Sequence, residues 1–323
     1  MVLVTGGSGL VGTELILQLL KSGKSVRAIE NTTPIKKGFA SQIEIIKADI
    51  LDVVALEDAM DGITEVYHCA GLVSYDPKMK TQLFKINTEG TANIVNAALN
   101  ENVSKFLFVS SVAALKKDEN QKLINENLYF KDIKFESTYA QTKYLAELEV
   151  WRGIAEGLNA VIINPSIILG YSPFDGGSSE IFKSVFNEFP WFTPGSAGFV
   201  DVRDVAKAAI LLMDSNVSGE RFIVSASNKK FKEIFSEIAA TFGKKAPYKK
   251  ASPLMASLVW RIEKLKSNFN NSKPLVTKET AKAAFNHSLY NNEKLLKYFP
   301  EFLYHNIDDT IKYYCRFYNE AFN

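Results

Sequence analysis

The sequence predicts an α/β fold, with a doubly wound, mostly parallel sheet and a smaller, mostly helical C-terminal lobe. Apolar runs typical of strands alternate with amphipathic helical stretches, and a glycine-rich turn joins the first strand to the first helix. The early strands end in small or polar residues. Because such sheets collect ligands at the carboxyl ends of their strands, those ends are the candidate site.

The composition narrows the classes of partner. The 323 residues include 38 basic and 36 acidic side chains, so the net charge is only +2, with no long basic block. This balance argues against nucleic acid and favours a small-molecule partner. The two cysteines and three histidines are scattered, which predicts reduced thiols and no metal site. A strand in place of a signal peptide, and apolar runs shorter than the roughly 20 residues of a membrane span, predict a cytoplasmic protein without membrane contact.

The first element pair is VLVTGGSGLVGTELILQLLKSG, which begins at residue 2. Its pattern predicts a strand, a turn at Gly6, Gly9 and Gly12, and a helix with Gly23 at its C-cap. Glycines at this spacing let the backbone turn sharply and approach a pyrophosphate, which free N–H groups at the helix start then hold. Three glycines can also form a plain turn, but their place after the first strand favours a dinucleotide site.

The second strand, SVRAIE, ends at Glu30, eighteen residues after Gly12. A carboxylate there suits the hydroxyls of an adenosine ribose and repels a 2′-phosphate by roughly several kcal/mol at close range. NAD is therefore favoured over NADP. A solvated strand end is the plainer alternative, and the nearby basic residues Arg27, Lys36 and Lys37 leave NADP open.

Four later strands are predicted in IEIIKAD, EVYHCAG, KFLFVSS and AVIINPS, which end at Asp49, Gly71, Ser111 and Ser166. The pattern turns irregular after residue 170 and returns to strand and helix at 196–226. We therefore expect a first domain of residues 1–170 with 196–226 returning to it, and a substrate-binding lobe of 171–195 and 227–323. The last stretch, IDDTIKYYCRFY, predicts an amphipathic helix.

ESTYAQTKYLAELEV, residues 136–150, places Tyr139 and Lys143 four apart on a predicted helix. An unperturbed tyrosine, with a pKa of about 10, is a weak base at pH 7, and a lysine one turn away can stabilise its phenolate. Ser111 can then hold a substrate oxygen by a hydrogen bond. The spacing alone is weak, because it recurs at Tyr290 and Lys294, where no strand end or glycine turn is adjacent.

Two further polar positions have plain structural explanations. Asp201 and Asp204 precede the apolar helix VAKAAILLM, so helix capping accounts for them. Cys69 lies on an apolar strand and is expected to be a small buried residue.

Eight motifs occur in an order that resembles the extended short-chain dehydrogenase/reductase family, which includes the NAD-dependent epimerases and dehydratases. They span most of the first 210 residues and read TGGSGLVG, ADI, HCAG, INTEGTAN, FVSSVAAL, YAQTK, NPSIILG and FVDVRDVAKA. TYAQTKYLAE and VIINPSIILG look closer to the dihydroflavonol 4-reductase and 3β-hydroxysteroid dehydrogenase branch.

The resemblance implies a Rossmann-type sheet and a nicotinamide cofactor. The implied pyrophosphate contacts are Thr5, Gly6, Gly7, Ser8, Gly9, Leu10, Val11 and Gly12. Glu30 would hold the ribose, Asp49 and Ile50 the adenine, Ala70 and Gly71 the cofactor wall, and Pro165, Ser166 and Ile168 the nicotinamide. The implied catalytic residues are Ser111, with Ser110 as the alternative one position away, Tyr139, Lys143 and a supporting Asn87; Tyr139 and Lys143 also touch the cofactor. Family members often form homodimers through helices of the first domain.

The implied activity is hydride transfer between nicotinamide and a ketone or secondary alcohol of an apolar or aromatic molecule. The lobe has little arginine to hold a diphosphate, and its apolar candidates are Phe174, Phe189, Trp191, Phe192, Met255 and Trp260. Nucleotide-sugar epimerases and dehydratases, the alternative, commonly carry Tyr-Gly where this chain has Leu115-Lys116. A dinucleotide sensor without catalysis is the third hypothesis, and the presence of Tyr139 and Lys143 argues against it.

Overall fold

The computed structural model describes residues 1–115, 123–127, 135–172, 177, 179–270 and 276–322. Twelve strands occur in this part of the chain. They are β1 (Val2–Thr5), β2 (Val26–Glu30), β3 (Glu44–Lys47), β4 (Glu65–His68), β5 (Lys105–Val109), β6 (Ala160–Pro165), β7 (Ile167–Leu169), β8 (Trp191–Phe192), β9 (Ser196–Asp201), β10 (Glu220–Val224), β11 (Ser227–Lys230) and β12 (Lys249–Lys250).

The helices pack around these strands. They are α1 (Leu10–Lys21), α2 (Lys37–Ala40), α3 (Val53–Met60), α4 (Lys80–Leu83), α5 (Gly90–Asn100), α6 (Thr138–Ala155), α7 (Ser179–Phe186), α8 (Val202–Met213), α9 (Phe231–Phe242), α10 (Pro253–Asn270), α11 (Lys278–Ala283), α12 (Glu293–Tyr298) and α13 (Ile307–Phe322). Short 3₁₀ turns cover Pro77–Met79 and Val112–Ala114, and a π-helical segment, Phe84–Glu89, leads into α5.

The main sheet has seven strands in the order β10-β6-β5-β4-β1-β2-β3, and every neighbouring pair is parallel. This confirms the predicted α/β fold. The chain moves outward from β1 to β3 and then returns to the other side of β1 at β4. The strand order therefore reverses between β1 and β4, which is where open α/β sheets form their ligand crevice.

Alternating strand residues build two cores, one on each face of the sheet. Val2 and Val4 of β1 belong to the core shared with α1 and α8, whereas Leu3 belongs to the core shared with α3, α5 and α6. This period of two is why both faces of a parallel sheet are apolar. After α1, Gly23 takes a left-handed conformation with φ of 77°, which lets Lys24 N–H bond back to Leu19 O.

The structure has a second, three-stranded sheet and a third apolar core. β9 lies between β7, to which it is parallel, and β11, to which it is antiparallel. The third core combines residues of β7, α7, β9, α9 and α13, among them Leu169, Phe182, Phe199, Ile234 and Tyr318. The buried side of α13 confirms the amphipathic helix expected at the end of the chain.

Residues 196–226 are shared between the two sheets. β9 joins the small sheet, whereas α8 packs against α1 and β10 extends the main sheet beside β6. Asp201 caps α8 by accepting a 2.8 Å hydrogen bond from Arg203 N–H, as expected. Asp204 instead accepts from the His305 backbone N–H at 2.8 Å. The domain limits drawn from the sequence remain a prediction. In the described residues, no helix is both long and apolar enough to cross a bilayer.

Candidate active site

The glycine turn after β1 lies directly against the segment after β4. Gly6 has φ of 68°, and a Cβ at this position would lie 2.7 Å from the Ala70 backbone nitrogen. A Cβ on Gly12 would overlap the Gly6 carbonyl group. Gly9 begins α1 without a side-chain cap, and no acidic residue occupies the first turn. Free N–H groups without a side chain in the way are what a bound pyrophosphate requires, so this cradle fits a dinucleotide.

Glu30 ends β2 at the same edge of the sheet. Its Oε2 accepts a 2.7 Å hydrogen bond from Ile35 N–H, which fixes the carboxylate at the turn after the strand. Arg27, considered as a partner for a 2′-phosphate, is held elsewhere because Nη1 donates to Ala59 O and Asp61 O, at 3.1 and 2.6 Å. That arrangement removes one of the three basic residues that left NADP open.

The expected adenine contacts follow β3. Asp49 Oδ1 accepts from Leu51 N–H at 2.9 Å, and Ile50 is buried with its carbonyl oxygen 3.0 Å from Asn93 Nδ2. Gly90 is close enough to Ile50 that a Cβ there would meet Ile50 Cδ1 at 2.5 Å. The start of α5 therefore packs closely against Ile50 at this edge of the sheet.

Asn87 projects from the π-helical segment into the space between β4 and α6. Its Oδ1 accepts from Leu72 N–H at 2.7 Å, and its Nδ2 donates to Leu72 O and to Thr142 Oγ1, both at 3.0 Å. A Cβ on Gly71 would lie 3.5 Å from Asn87 Oδ1 and 3.6 Å from Lys143 Nζ. Asn87 thus links the segment after β4 to α6, next to the Lys143 ammonium group.

A buried histidine connects the glycine turn to Asn87. His68 Nδ1 lies 2.7 Å from Thr5 Oγ1, and Nε2 lies 3.0 Å from Thr91 Oγ1. Since Thr91 donates to the Asn87 carbonyl oxygen at 2.6 Å, Thr91 must accept from His68, which places the proton on Nε2. Burial, together with the charge of Lys143, lowers the pKa of His68 to about 3, so the ring is neutral near pH 7.

The helix α6 brings Tyr139 and Lys143 together as predicted. Both side chains are buried, and Lys143 Nζ donates to Val109 O at 2.8 Å, at the carboxyl end of β5. The same ammonium lies 4.5 Å from the centre of the Phe108 ring. Ser111, which follows β5, lies close enough to the Tyr139 hydroxyl to influence its pKa. The three predicted residues therefore meet at one edge of the sheet.

The pKa values of Tyr139 and Lys143 are shifted in opposite directions. Burial raises the pKa of Tyr139, Tyr75 adds to the effect, and the nearby Ser111 hydroxyl partly opposes it. Burial lowers the pKa of Lys143 to about 8, and Glu147 and Cys69 partly oppose this shift. Lys143 was expected to lower the pKa of Tyr139 by stabilising its phenolate. Burial outweighs that effect, because the Lys143 ammonium is directed at Val109 O. Tyr139 is accordingly a protonated phenol at neutral pH.

The adjacent serines have different partners. Ser110 Oγ is buried and donates to Glu147 Oε1 at 2.6 Å, whereas Ser111 Oγ accepts from Ala113 N–H at 3.1 Å and reaches Tyr139. Alternating directions along the extended chain explain the difference. The structure favours Ser111 over Ser110 as the serine beside Tyr139.

The expected nicotinamide border lies where β6 ends. Pro165 is the last residue of β6, Ser166 N–H donates to Val224 O at 3.1 Å, and Ile168 belongs to β7. Ser166 Oγ is buried without a hydrogen-bond partner among the described residues. An unpaired hydroxyl facing this edge can serve a bound ligand.

Two tyrosines near the site were missed by the sequence reasoning. The ring of Tyr75 meets that of Tyr139 edge-on, with centres 5.9 Å apart. Tyr290 is partly buried and packs on the apolar cluster around Leu115 and Ile124, which also includes Val112, the residue after Ser111. No local signal marks Tyr75, because the chain around it has no regular secondary structure.

The second Tyr-x-x-x-Lys spacing is not a helical pair. α12 begins at Glu293, after Tyr290, so Tyr290 and Lys294 are not one helical turn apart. Lys294 instead pairs with Glu220 at 2.6 Å. The plain interpretation holds for Lys294, whereas Tyr290 lies nearer the site than its sequence context indicates.

The aromatic candidates of the lobe are only partly available. Trp191 and Phe192 form β8, and their rings face Lys249 and Lys232, whose ammonium groups lie 5.3 and 4.6 Å from the ring centres. Phe189 and Met255 are exposed, and Trp260 is half-buried on α10. Phe174 and Lys116 lie outside the described residues.

Several curated relatives are reductases by name. The chain is 30% identical over 244 residues to cinnamoyl-CoA reductase 1 of Petunia hybrida, covering 70% of this chain and 72% of that protein. It is 28% identical over 305 residues to a putative dihydroflavonol 4-reductase of Synechocystis, covering 91% and 88%. These are the kinds of relative that the motifs predicted.

A solved structure with the same fold contains a cofactor. The UDP-glucose 4-epimerase of Thermus thermophilus, in complex with NAD, superposes with a TM-score of 0.76 at 20% identity and covers 99% of both chains. The model of the NAD dependent epimerase/dehydratase family matches residues 2–225, a span that includes the glycine turn, Ser111, Tyr139 and Lys143. The chain therefore belongs to the NAD-dependent epimerase/dehydratase family, and it is an NAD(P)-dependent enzyme of the extended short-chain dehydrogenase/reductase type.

Proposed function

We propose that this protein transfers hydride between a nicotinamide cofactor and a ketone or secondary alcohol of an apolar or aromatic small molecule. The observation that carries the proposal is the meeting of Tyr139, Lys143 and Ser111 at the carboxyl end of β5. Ser111 lies beside Tyr139, and Lys143 Nζ donates to Val109 O one helical turn away. A carbonyl oxygen that accepts from Ser111 would lie within reach of the Tyr139 hydroxyl.

The bound cofactor would supply or accept the hydride. Reduction requires a proton for the carbonyl oxygen, and a buried phenol with a raised pKa carries one at neutral pH. Ser111 would orient the oxygen and stabilise the charge that develops on it. The ammonium of Lys143, together with the positive nicotinamide ring of NAD⁺, would favour the phenolate that oxidation of an alcohol needs.

The cradle of residues 5–12 would hold the pyrophosphate, with Thr5 fixed by its contact with His68. Asn87 would support Lys143 from the π-helical segment, held by its bonds to Leu72 and Thr142. The roles of Asp49, Ile50, Ala70, Gly71, Pro165, Ser166 and Ile168 are those that the resemblance assigns.

NAD is the cofactor that Glu30 favours. Its carboxylate is fixed at the end of β2. The Arg27 guanidinium, which could otherwise bind a 2′-phosphate, donates to Asp61 O instead. Lys36 lies 6.0 Å from the centre of the Tyr171 ring, so this cation still stands near the site. Direct comparison of NADH and NADPH binding by calorimetry decides between them.

The apolar ring of Tyr75 beside Tyr139 supports an apolar or aromatic substrate, as do the names of the curated relatives. Nucleotide-sugar epimerisation is the second candidate, because UDP-glucose 4-epimerases share this fold. A cofactor-linked absorbance screen against aromatic ketones, sterols and nucleotide sugars separates them. Net consumption of reduced cofactor supports hydride transfer to a substrate, whereas sugar conversion without net consumption supports the epimerase.

The central test is Tyr139→Phe, with Tyr144→Phe as the matched control on the same helix. Tyr144 packs against Phe135, with ring centres 5.3 Å apart, and is expected to be dispensable for turnover. Tyr139→Phe should abolish turnover and leave cofactor binding in place. Normal turnover in Tyr139→Phe would refute the proposed chemistry, and loss of turnover in both variants would point to a packing defect of α6.

A further inference from the structure

A buried ion pair lies behind Lys143 and takes no part in the proton transfer proposed above. Glu147 follows Lys143 by one turn of α6, and its Oε2 lies 3.1 Å from Arg221 Nη1 on β10. The two side chains are only 1% and 9% exposed. Moving two charges out of water costs free energy, so this buried pair must be stabilised by further contacts inside the protein.

The other carboxylate oxygen of Glu147 holds the end of the strand that carries Ser111. Glu147 Oε1 accepts from Ser110 Oγ at 2.6 Å and from Asn164 Nδ2 at 2.5 Å. Asn164 Nδ2 also donates to the backbone oxygen of Ser111 at 3.0 Å. One carboxylate therefore fixes the residue before Ser111 and, through Asn164 on β6, the backbone of Ser111 itself.

Arg221 anchors this carboxylate to the edge of the sheet. Its Nε and Nη2 donate to Glu126 O at 2.9 and 2.7 Å, and Glu126 Oε1 accepts from Ile223 N–H at 2.9 Å. Glu147 is thus held between the Arg221 guanidinium on β10 and the polar groups of Ser110 and Asn164.

The titratable groups that face Lys143 lie on two elements. On α6 these are Tyr139 and Glu147, and at the end of β4 they are His68 and Cys69. Burial leaves His68 neutral and raises the pKa of the Cys69 thiol to about 12, and Tyr139 is a neutral phenol. Among these four groups, Glu147 is the carboxyl group, and it favours the protonated form of Lys143.

We propose that Glu147 is a positioning residue of the active site, whose carboxylate fixes Ser111 through Ser110 and Asn164 and whose charge keeps Lys143 protonated. Arg221 compensates that charge and secures its position. The proposal rests on the function proposed above, because it takes Ser111 and Lys143 as working residues. It assigns a task to a residue that touches no reacting atom.

Two substitutions separate the effect of the Glu147 charge from the effect of its side-chain length. Glu147→Gln keeps an oxygen that can accept from Ser110 and Asn164 but removes the charge. In the pH profile of kcat/KM for reduction, we expect its basic limb to move down by about one pH unit, the lower end of what an opposite charge exerts at close range. Glu147→Asp keeps the charge but is one methylene shorter, so kcat should fall at every pH while the limb stays in place.

Arg221→Gln is the control for damage to the network. It breaks the same ion pair but leaves the negative charge beside Lys143, so its basic limb should not move to lower pH. If the role of Glu147 were merely structural, Glu147→Gln and Arg221→Gln would both lower stability and activity. The basic limb would then behave in the same way in both variants. Where Glu147→Gln does not fold, the double variant with Arg221→Gln removes both buried charges and should show the same downward shift.

The outcomes distinguish the two proposals. Full activity in Tyr139→Phe would overturn the proposed function and, with it, the role of Glu147. A basic limb that stays in place in Glu147→Gln, or in the double variant, while Tyr139→Phe is inactive, would overturn the role of Glu147 alone.

Discussion

Replacing Lys143 by methionine should stabilise the protein while it abolishes catalysis. Burial lowers the pKa of Lys143 from 10.5 to about 8, so the folded state disfavours the charged form that predominates at pH 7. At about 1.4 kcal/mol per pKa unit, protonated Lys143 costs the folded state about 3 kcal/mol at that pH. Methionine fills similar space without a charge.

Part of this gain is lost again. The substitution removes the 2.8 Å hydrogen bond from Nζ to Val109 O and leaves a buried carbonyl group unpaired, which costs about 1–2 kcal/mol. We therefore expect Lys143→Met to be more stable than the unmodified protein by about 1–2 kcal/mol at pH 7 in urea unfolding. Turnover should be lost, because no cation remains beside Tyr139.

The pH dependence gives the sharper test. The folded pKa lies below the unfolded one, so between about pH 8 and 10.5 the unfolded chain binds more protons and the unmodified protein gains stability as pH rises. The stability difference between Lys143→Met and the unmodified protein should therefore shift by about 2.5 kcal/mol, in favour of the unmodified protein, from about pH 7 to pH 10.

Lys21→Met, at an exposed lysine of α1, is the matched control and should show no such shift, because its ammonium stays in solvent. A stability difference for Lys143→Met that is constant over this range would refute the reasoning. It would mean that burial does not penalise the charge of Lys143.

Three further predictions concern other residues. Gly6→Ala should weaken NADH binding more than tenfold and lower the free energy of unfolding by at least about 1 kcal/mol, because φ is 68° and the Cβ would meet Ala70; calorimetry and urea unfolding measure the two effects. Glu30→Ala should reduce the preference for NADH over NADPH, and an unchanged ratio of dissociation constants would contradict the role of Glu30. Tyr67→Phe should raise stability by about 1 kcal/mol in thermal unfolding, because the Tyr67 hydroxyl is buried without a hydrogen-bond partner among the described residues.

The alternation of strands and helices was predictable because it depends on local periodicity. The run from Val2 to Gly23 carries a strand period, a turn and a helical period in sequence, and each appears where expected. The cap at Asp201 was predictable for the same reason, since an aspartate accepts from an N–H only two residues away. The order of strands in the sheet was not, because parallel pairing joins residues far apart in the chain.

At the site, motif order identified Tyr139, Lys143 and Ser111, but not the states of these groups. The contacts of His68 join β1, β4 and α5, so no local pattern reveals them, although a histidine within the apolar run EVYHCAG was a visible anomaly. Glu147 was hidden in the same way, because its partners lie on β5, β6 and β10.

The sequence by itself determined the fold class, the glycine cradle and the helical spacing of Tyr139 and Lys143, since each arises from residues close together in the chain. Only the tertiary structure decided that Ser111 rather than Ser110 meets Tyr139, that the pair at Tyr290 and Lys294 is not helical, and that Tyr139 stays protonated. Those outcomes depend on burial and on neighbours from distant strands. Burial sets the cost of a charge, and that cost exists only once the chain has folded.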